Sequence, residues 1–233
     1  MSNPNLNAIP NTSYSRTNVK TLTSLAMLSA IAYVVMLLSK MLPQVNGFLQ
    51  LDLKDTIICM GGFLFGPMAA AAVSFLVPLL EMMFVSDTGI IGFIMNVLST
   101  ASFCCISAFL YKKFHTQPGA IFSLLSGVLS MTAIMLVWNY LITPIYQGVP
   151  REVVAAMLPT VFLPFNLVKG GLNMALTLVL YKPIVTALRK AHLVPQSPEE
   201  TTSKKMLNVG FLLFSLLLLT TFGMLALVMM NII

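Results

Sequence analysis

Lys169 lies inside an apolar stretch, with Asn166 before it and Asn173 after it. These spacings put the three side chains on one face of a helix. An ammonium at bilayer depth costs about 2.5–3.5 kcal/mol on insertion scales, so it faces a partner, a cavity or a ligand. Asparagine amides both donate and accept hydrogen bonds. A lysine flanked by two of them is therefore a recognition surface for a polar ligand, or one half of a structural pair with a buried carboxylate such as Glu81. The means for catalysis are absent from the pattern. Ser74, Ser99 and Ser102 have no histidine in any apolar run to activate them, since His115 and His192 fall in polar segments. No G-x-x-x-x-G-K-[ST] phosphate loop occurs, so ATP hydrolysis by that route is excluded. Cys59, Cys104 and Cys105 show neither C-x-x-C spacing nor a clustered histidine, which predicts neither a metal site nor a disulfide framework. The chain reads as a binder and not as an enzyme.

Such a stripe needs membrane helices to hold it. The 233 residues are 58% hydrophobic and only 9% charged. Soluble domains carry about a quarter charged residues, so the chain reads as an integral, all-α membrane bundle embedded in lipid. The net charge of +6 does not point to nucleic acid, because the basic residues stand at the ends of apolar runs. Those runs are Thr21–Ser39, Thr56–Leu80, Thr88–Tyr111, Thr116–Pro150, Val153–Leu188 and Met206–Ile233. Gly61, Gly62, Gly66 and Pro67 divide the second into a short helix and a longer one. Pro144 is expected to end the helix of the fourth, and Pro159 and Pro164 to shape the start of the fifth. The organisation predicted is a polar cytoplasmic tail (residues 1–19), a six-helix core (20–190), a cytoplasmic linker (191–205) and a seventh transmembrane helix (206–233). The run after the tail is too long for a signal-peptide core and is expected to remain as the first helix.

With the N-terminus inside, nine basic residues fall on the cytoplasmic face (Arg16, Lys20, Lys112, Lys113, Lys182, Arg189, Lys190, Lys204 and Lys205) and three outside (Lys40, Lys54 and Arg151). At about 1.5 Å per residue, Glu81, Asn96, Asn139, Asn166 and Lys169 then occupy the outer halves of their helices. The outer loop Gln44–Asp55 adds Asn46, Gln50, Asp52, Lys54 and Asp55. This distribution predicts a polar cavity open to the outside, with Phe48, Trp138, Tyr140, Tyr146 and Phe165 at similar depth to stack on a flat ligand. Plainer roles compete. The aromatics suit an interface belt, Glu81 the outer surface, Asn96 and Asn139 interhelical bonds worth about 0.6 kcal/mol each, and Asp55 the cap of the short second helix.

Three segments carry a family likeness: L-D-L-K-D (Leu51–Asp55), G-G-F-L-F-G-P (Gly61–Pro67) and P-F-N-L-V-K-G (Pro164–Gly170). In this order they resemble the riboflavin-specific substrate-binding subunit, or S component, of energy-coupling factor (ECF) vitamin transporters, over Lys20 to Lys190. The resemblance implies a six-helix bundle that binds riboflavin as transported substrate and needs no cofactor. It also implies a transmembrane coupling protein and two cytoplasmic ATP-binding-cassette ATPases as partners. Asn166 and Lys169 would contact the flavin or its ribityl chain, and Leu51, Asp52, Leu53 and Asp55 would cover the pocket. Ala26 and Ala30 match the family's A-x-x-x-A contact with the coupling protein. Another vitamin or a flavin nucleotide is the alternative ligand, and a stand-alone secondary transporter in the cell membrane is the rival class. The seventh helix has no counterpart in the resemblance and is expected to leave the pocket untouched.

Overall fold

The computed structural model describes residues 19–85, 88–190 and 209–232. Residues 1–18 of the expected N-terminal tail and the 191–205 linker therefore lie outside the described residues. The elements are α1 (Val19–Ser39), α2 (Lys54–Phe65), α3 (Pro67–Phe84), α4 (Gly89–Lys113), α5 (Gln117–Gln147), α6 (Arg151–Met157), a π-helical turn (Leu158–Phe162), α7 (Leu163–Lys190) and α8 (Val209–Met229). Among the described residues, six helices are long and apolar enough to cross a bilayer, with α6, the π turn and α7 acting as one. At 12 residues, α2 is about 18 Å long and spans only part of the hydrocarbon. The chain is thus an all-α polytopic membrane protein, with a six-helix core and one appended helix.

Local chemistry explains the breaks. Gly66 takes φ 94°, a conformation open to glycine and costly for other residues, and Pro67 then starts α3 where its missing N–H is no loss. The expectation that Pro144 ends α5 is corrected, because the helix continues to Gln147 and stops at left-handed Gly148. Membrane helices tolerate an internal proline when neighbouring helices and hydroxyl side chains satisfy the freed backbone groups. At the other proline pair, the ladder widens into the π turn. One turn further on, Asn166 Nδ2 donates to Phe162 O at 2.8 Å.

The main core joins Leu28, Ile58, Met60, Val77, Phe103 and Met131 with their neighbours. Its tightest seam is between α4 and α5. A methyl group added at Gly127 would lie 2.1 Å from Ser107 Oγ and 2.7 Å from the Phe103 carbonyl oxygen. Backbone cannot yield as a side-chain tip can. Gly127→Ala is therefore expected to cost about 1–3 kcal/mol, read as a fall in melting temperature of the detergent-solubilised chain.

Between α1 and α2 the chain folds back on itself. Val45 and Leu49 exchange backbone hydrogen bonds (2.8 and 3.0 Å) around Asn46 and Gly47, which both have positive φ. Gln50 Nε2 donates to the carbonyls of Ser39 (2.9 Å) and Leu42 (3.1 Å), and Leu53 N donates to Ser39 Oγ at 3.1 Å. The loop is thereby tied to the end of α1 and delivers Asp52 and Lys54 into the bundle.

A second apolar cluster contains Val45, Leu51, Phe165, Val168, Ala226 and Met230. It corrects the expectation that the appended helix stands clear of the pocket region. α8 packs along α7, and its last turn shares this cluster with the loop.

Candidate functional site

Asp52, Lys54, Asp55, Glu81 and Lys169 are the buried charged side chains among the described residues, and they gather in one region at the Lys40 end of the bundle. Lys54 is the centre of one half. Its side chain is 0% exposed, its ammonium pairs with Asp52, and it reaches Glu81 Oε2 at 3.4 Å. Glu81 also takes Lys40 Nζ at 3.1 Å and Asn96 Nδ2 at 3.1 Å. An unpaired buried charge costs several kcal/mol, so these mutual contacts permit the burial. Burial pushes the Asp52 carboxyl upward, but the nearby Lys54 and Lys169 ammonium groups outweigh it and hold the group below the ordinary carboxylate value.

The other half is built on α4 and α7. Lys169 Nζ donates to Ser99 Oγ at 3.3 Å, and Thr100 Oγ1 donates to Asp55 Oδ1 at 2.7 Å. Asn173 stitches the halves together. Its Nδ2 donates to the carbonyls of Asp52 (2.8 Å) and Lys169 (3.0 Å), while its Oδ1 accepts from Thr56 N (3.0 Å) and Thr56 Oγ1 (2.8 Å). Asn173 thus takes one of the free N–H groups at the start of α2, the role expected of Asp55. That expectation is corrected: locally it is Asp52 whose Oδ1 accepts from Lys54 N at 3.0 Å, and Asp55 turns towards Thr100. Asp55 Oδ2 is left buried without a hydrogen-bond partner among the described residues. The pairing of Lys169 with Glu81 is likewise not observed, because Lys40 and Lys54 claim Glu81.

Of the residues singled out from the sequence, Asp52, Asp55, Glu81, Asn96 and Lys169 are brought together here. Leu51 belongs to the second apolar cluster, and half-buried Leu53 contributes its backbone tie to Ser39. Asn139 donates to Met135 O (2.8 Å) and accepts from Thr143 Oγ1 (3.1 Å), so its bonds stay within α5. The bond that Asn166 donates to the Phe162 carbonyl likewise reaches only one turn back along its own segment.

The aromatics separate from the polar cluster. Tyr140 and Tyr146 are exposed, with the Arg151 guanidinium 5.6 Å from the Tyr140 ring centre. Trp138 lines an outward groove of about 330 Å³ with Leu98, Val137 and Leu141. Phe48 meets Phe162 edge to face at 6.0 Å, and Phe165 is buried in the second apolar cluster. The outward three fit an interface belt.

The model of the ECF transporter substrate-specific component matches residues 20–181. The chain belongs to that family. Among relatives of this S component, the riboflavin transporter FmnP of Bacillus subtilis is 32% identical over 75% of this chain and 98% of its own. The riboflavin transporter RibU of Staphylococcus aureus is 28% identical over 73% and 93%. The solved structure of the S component of a bacterial ECF transporter superposes with a TM-score of 0.63, at 28% identity, covering 73% of this chain and 98% of that one. The S component's family match ends before α8 begins.

Lys40, Ser99 and Thr100 were not singled out for the site by the sequence, and Lys54 entered only as one of the polar residues of the outer loop. The available signal was pairing arithmetic: a membrane carboxylate at Glu81 requires a cation, and a loop lysine next to two aspartates is the nearest candidate. At the opposite end, a cavity of about 260 Å³ is lined by Gly62–Gly66, Ala108, Lys112 and His115. Phe63 stacks on Tyr111 beside it at 4.1 Å.

Proposed function

We propose that this S component binds riboflavin at the Lys40 end of the bundle and hands it inward with the help of partner subunits. In this reading the N-terminus is cytoplasmic, and the Lys40 end opens to the outside when the loop of residues 40–53 lifts. Uptake is driven by two cytoplasmic ATP-binding-cassette ATPases through a transmembrane coupling protein, because the chain has no phosphate loop of its own. The observation that carries the assignment of the site is the buried charged cluster with an unpartnered acceptor, Asp55 Oδ2. A flavin ring has one imide donor and a rim of acceptors. Asp55 would take the imide N–H and Lys169 would donate to a ring carbonyl, while Asn166 faces the ribityl chain. That both relatives are riboflavin transporters supports the choice of ligand.

The test is the visible absorption spectrum of the purified chain. A yellow preparation that releases free riboflavin on denaturation, or a colourless one that quenches added riboflavin fluorescence, is the expected result. A colourless chain that leaves the fluorescence unchanged overturns the flavin assignment. The partner is tested separately. Ala26 and Ala30 are both exposed on α1, and small residues let membrane helices approach closely. Ala26→Trp or Ala30→Trp is expected to leave riboflavin binding intact and abolish uptake in cells. Loss of binding as well would mean a folding defect instead.

A further inference from the structure

We propose that α8 positions the substrate loop, through Ala226 and Met230, and thereby sets the rate at which ligand leaves; this rests on the riboflavin reading above. The face α8 turns inward is regular: Phe211, Ser215, Leu218, Phe222, Ala226 and Met230 are buried or half-buried at spacings of three and four. Leu213, Leu217, Met224 and Val228 stand exposed on the other side. The seam does three things along its length. Phe211 and Leu218 join the main core. Phe222 covers Gly171, where an added methyl would lie 2.3 Å from the ring, so glycine at that point lets α8 approach α7 closely. The last turn closes the cluster that holds Val45 and Leu51 of the loop.

Those loop residues flank the segment that delivers Asp52 and Lys54 to the buried charges. The loop's hold on the bundle has a polar part and an apolar part. The polar part is Gln50 and Leu53 on Ser39 and the carbonyl of Leu42. The apolar part is the shared cluster, to which α8 contributes Ala226 and Met229, with Met230 directly after its last turn. Lifting the loop separates Val45 and Leu51 from that cluster, so the packing that α8 supplies adds directly to the barrier for release. A helix that merely anchored the chain in lipid would have no such effect. Ala226 and Met230 are positioning residues: they act on the ligand only through the loop.

The experiment compares full-length wild type with Met230→Ala, Met230→Leu and the exposed-face control Met224→Ala. Two readouts are taken: riboflavin dissociation followed by recovery of its fluorescence, and hydrogen exchange of the loop amides Val45, Leu49 and Leu53 without ligand. Met230→Ala is expected to speed dissociation at least about fivefold, the factor that about 1 kcal/mol of lost packing yields. It should also speed exchange at the three amides. Met230→Leu restores both towards wild type, and Met224→Ala changes neither. Unchanged loop exchange in Met230→Ala overturns the proposal. Faster exchange in α7 amides with an unaltered loop overturns it too, since α8 would then be only structural. If wild type binds no riboflavin but Met230→Ala still loosens the loop, the ligand assignment fails and the positioning role stands.

Discussion

Replacing Lys54 with methionine is expected to lower stability by about 3–5 kcal/mol, the cost of breaking a buried ion pair from one side. The ammonium is completely enclosed and sits between Asp52 and Glu81. Methionine fills much the same volume, so the loss is electrostatic and not a cavity. Glu81 keeps Lys40, but Asp52 keeps no ion-pair partner among the described residues. At about 2–4 °C per kcal/mol for a chain of this size, the melting temperature in detergent should fall by roughly 6–20 °C. Lys40→Met is the control. Its side chain is 29% exposed, and an ion pair reaching solvent contributes below about 1 kcal/mol. The two lysines share one carboxylate, so a similar small shift for both would show that enclosure does not govern the network. Adding Asp52→Asn and Glu81→Gln to Lys54→Met should recover part of the loss, because the stranded charges are removed with their partner.

The fold was legible because membrane helices announce themselves by length and composition. The six core helices, the break at Gly66–Pro67 and the appended α8 all follow from apolar runs and their punctuation. Pro144 was misleading for a physical reason: in a membrane bundle a proline seldom ends a helix whose neighbours satisfy the backbone. Within the site, Lys169 was conspicuous because it is the one charge between Glu152 and Lys182 and has Asn166 and Asn173 on its helical face. Lys54 was not, since in a run reading L-D-L-K-D it resembles an ordinary loop lysine, and only the return of the loop into the bundle shows that it is enclosed. Asn173 fell on the predicted stripe, but its task is to cap α2 from α7, and long-range caps leave no local pattern. The face of α8 was hidden for a different reason. Every side of that helix is apolar, so periodicity cannot distinguish the side that meets protein from the side that meets lipid. The aromatics near the Lys40 end show the converse: depth alone could not tell a ring facing a ligand from one facing headgroups.

Lys169→Ala is expected to do the opposite of Lys54→Met, weakening riboflavin binding strongly while changing stability little. Among the described residues no carboxylate oxygen lies within ion-pair distance of Lys169, and its hydrogen bond to Ser99 is a single contact at 3.3 Å. Little native structure is therefore lost with it. In the proposed bound state it would donate a charge-assisted hydrogen bond, whose loss costs about 1.5–3 kcal/mol. That corresponds to at least about a tenfold rise in Kd, measured by fluorescence titration of the purified chain. Ser99→Ala removes the same protein contact without removing the ammonium, so its Kd should stay within about threefold of wild type, a difference below 1 kcal/mol. An unchanged Kd in Lys169→Ala removes this lysine from the site. A large fall in melting temperature with unchanged Kd would make it a structural counter-charge for Asp52 and Asp55. Asp55→Asn divides the remaining possibilities, because it keeps an acceptor for the imide N–H while cancelling the charge. If Lys169 acts on the ligand directly, the effects of Lys169→Ala and Asp55→Asn on binding should add. If Lys169 acts by holding Asp55 ionised, the double variant should bind no worse than Asp55→Asn alone.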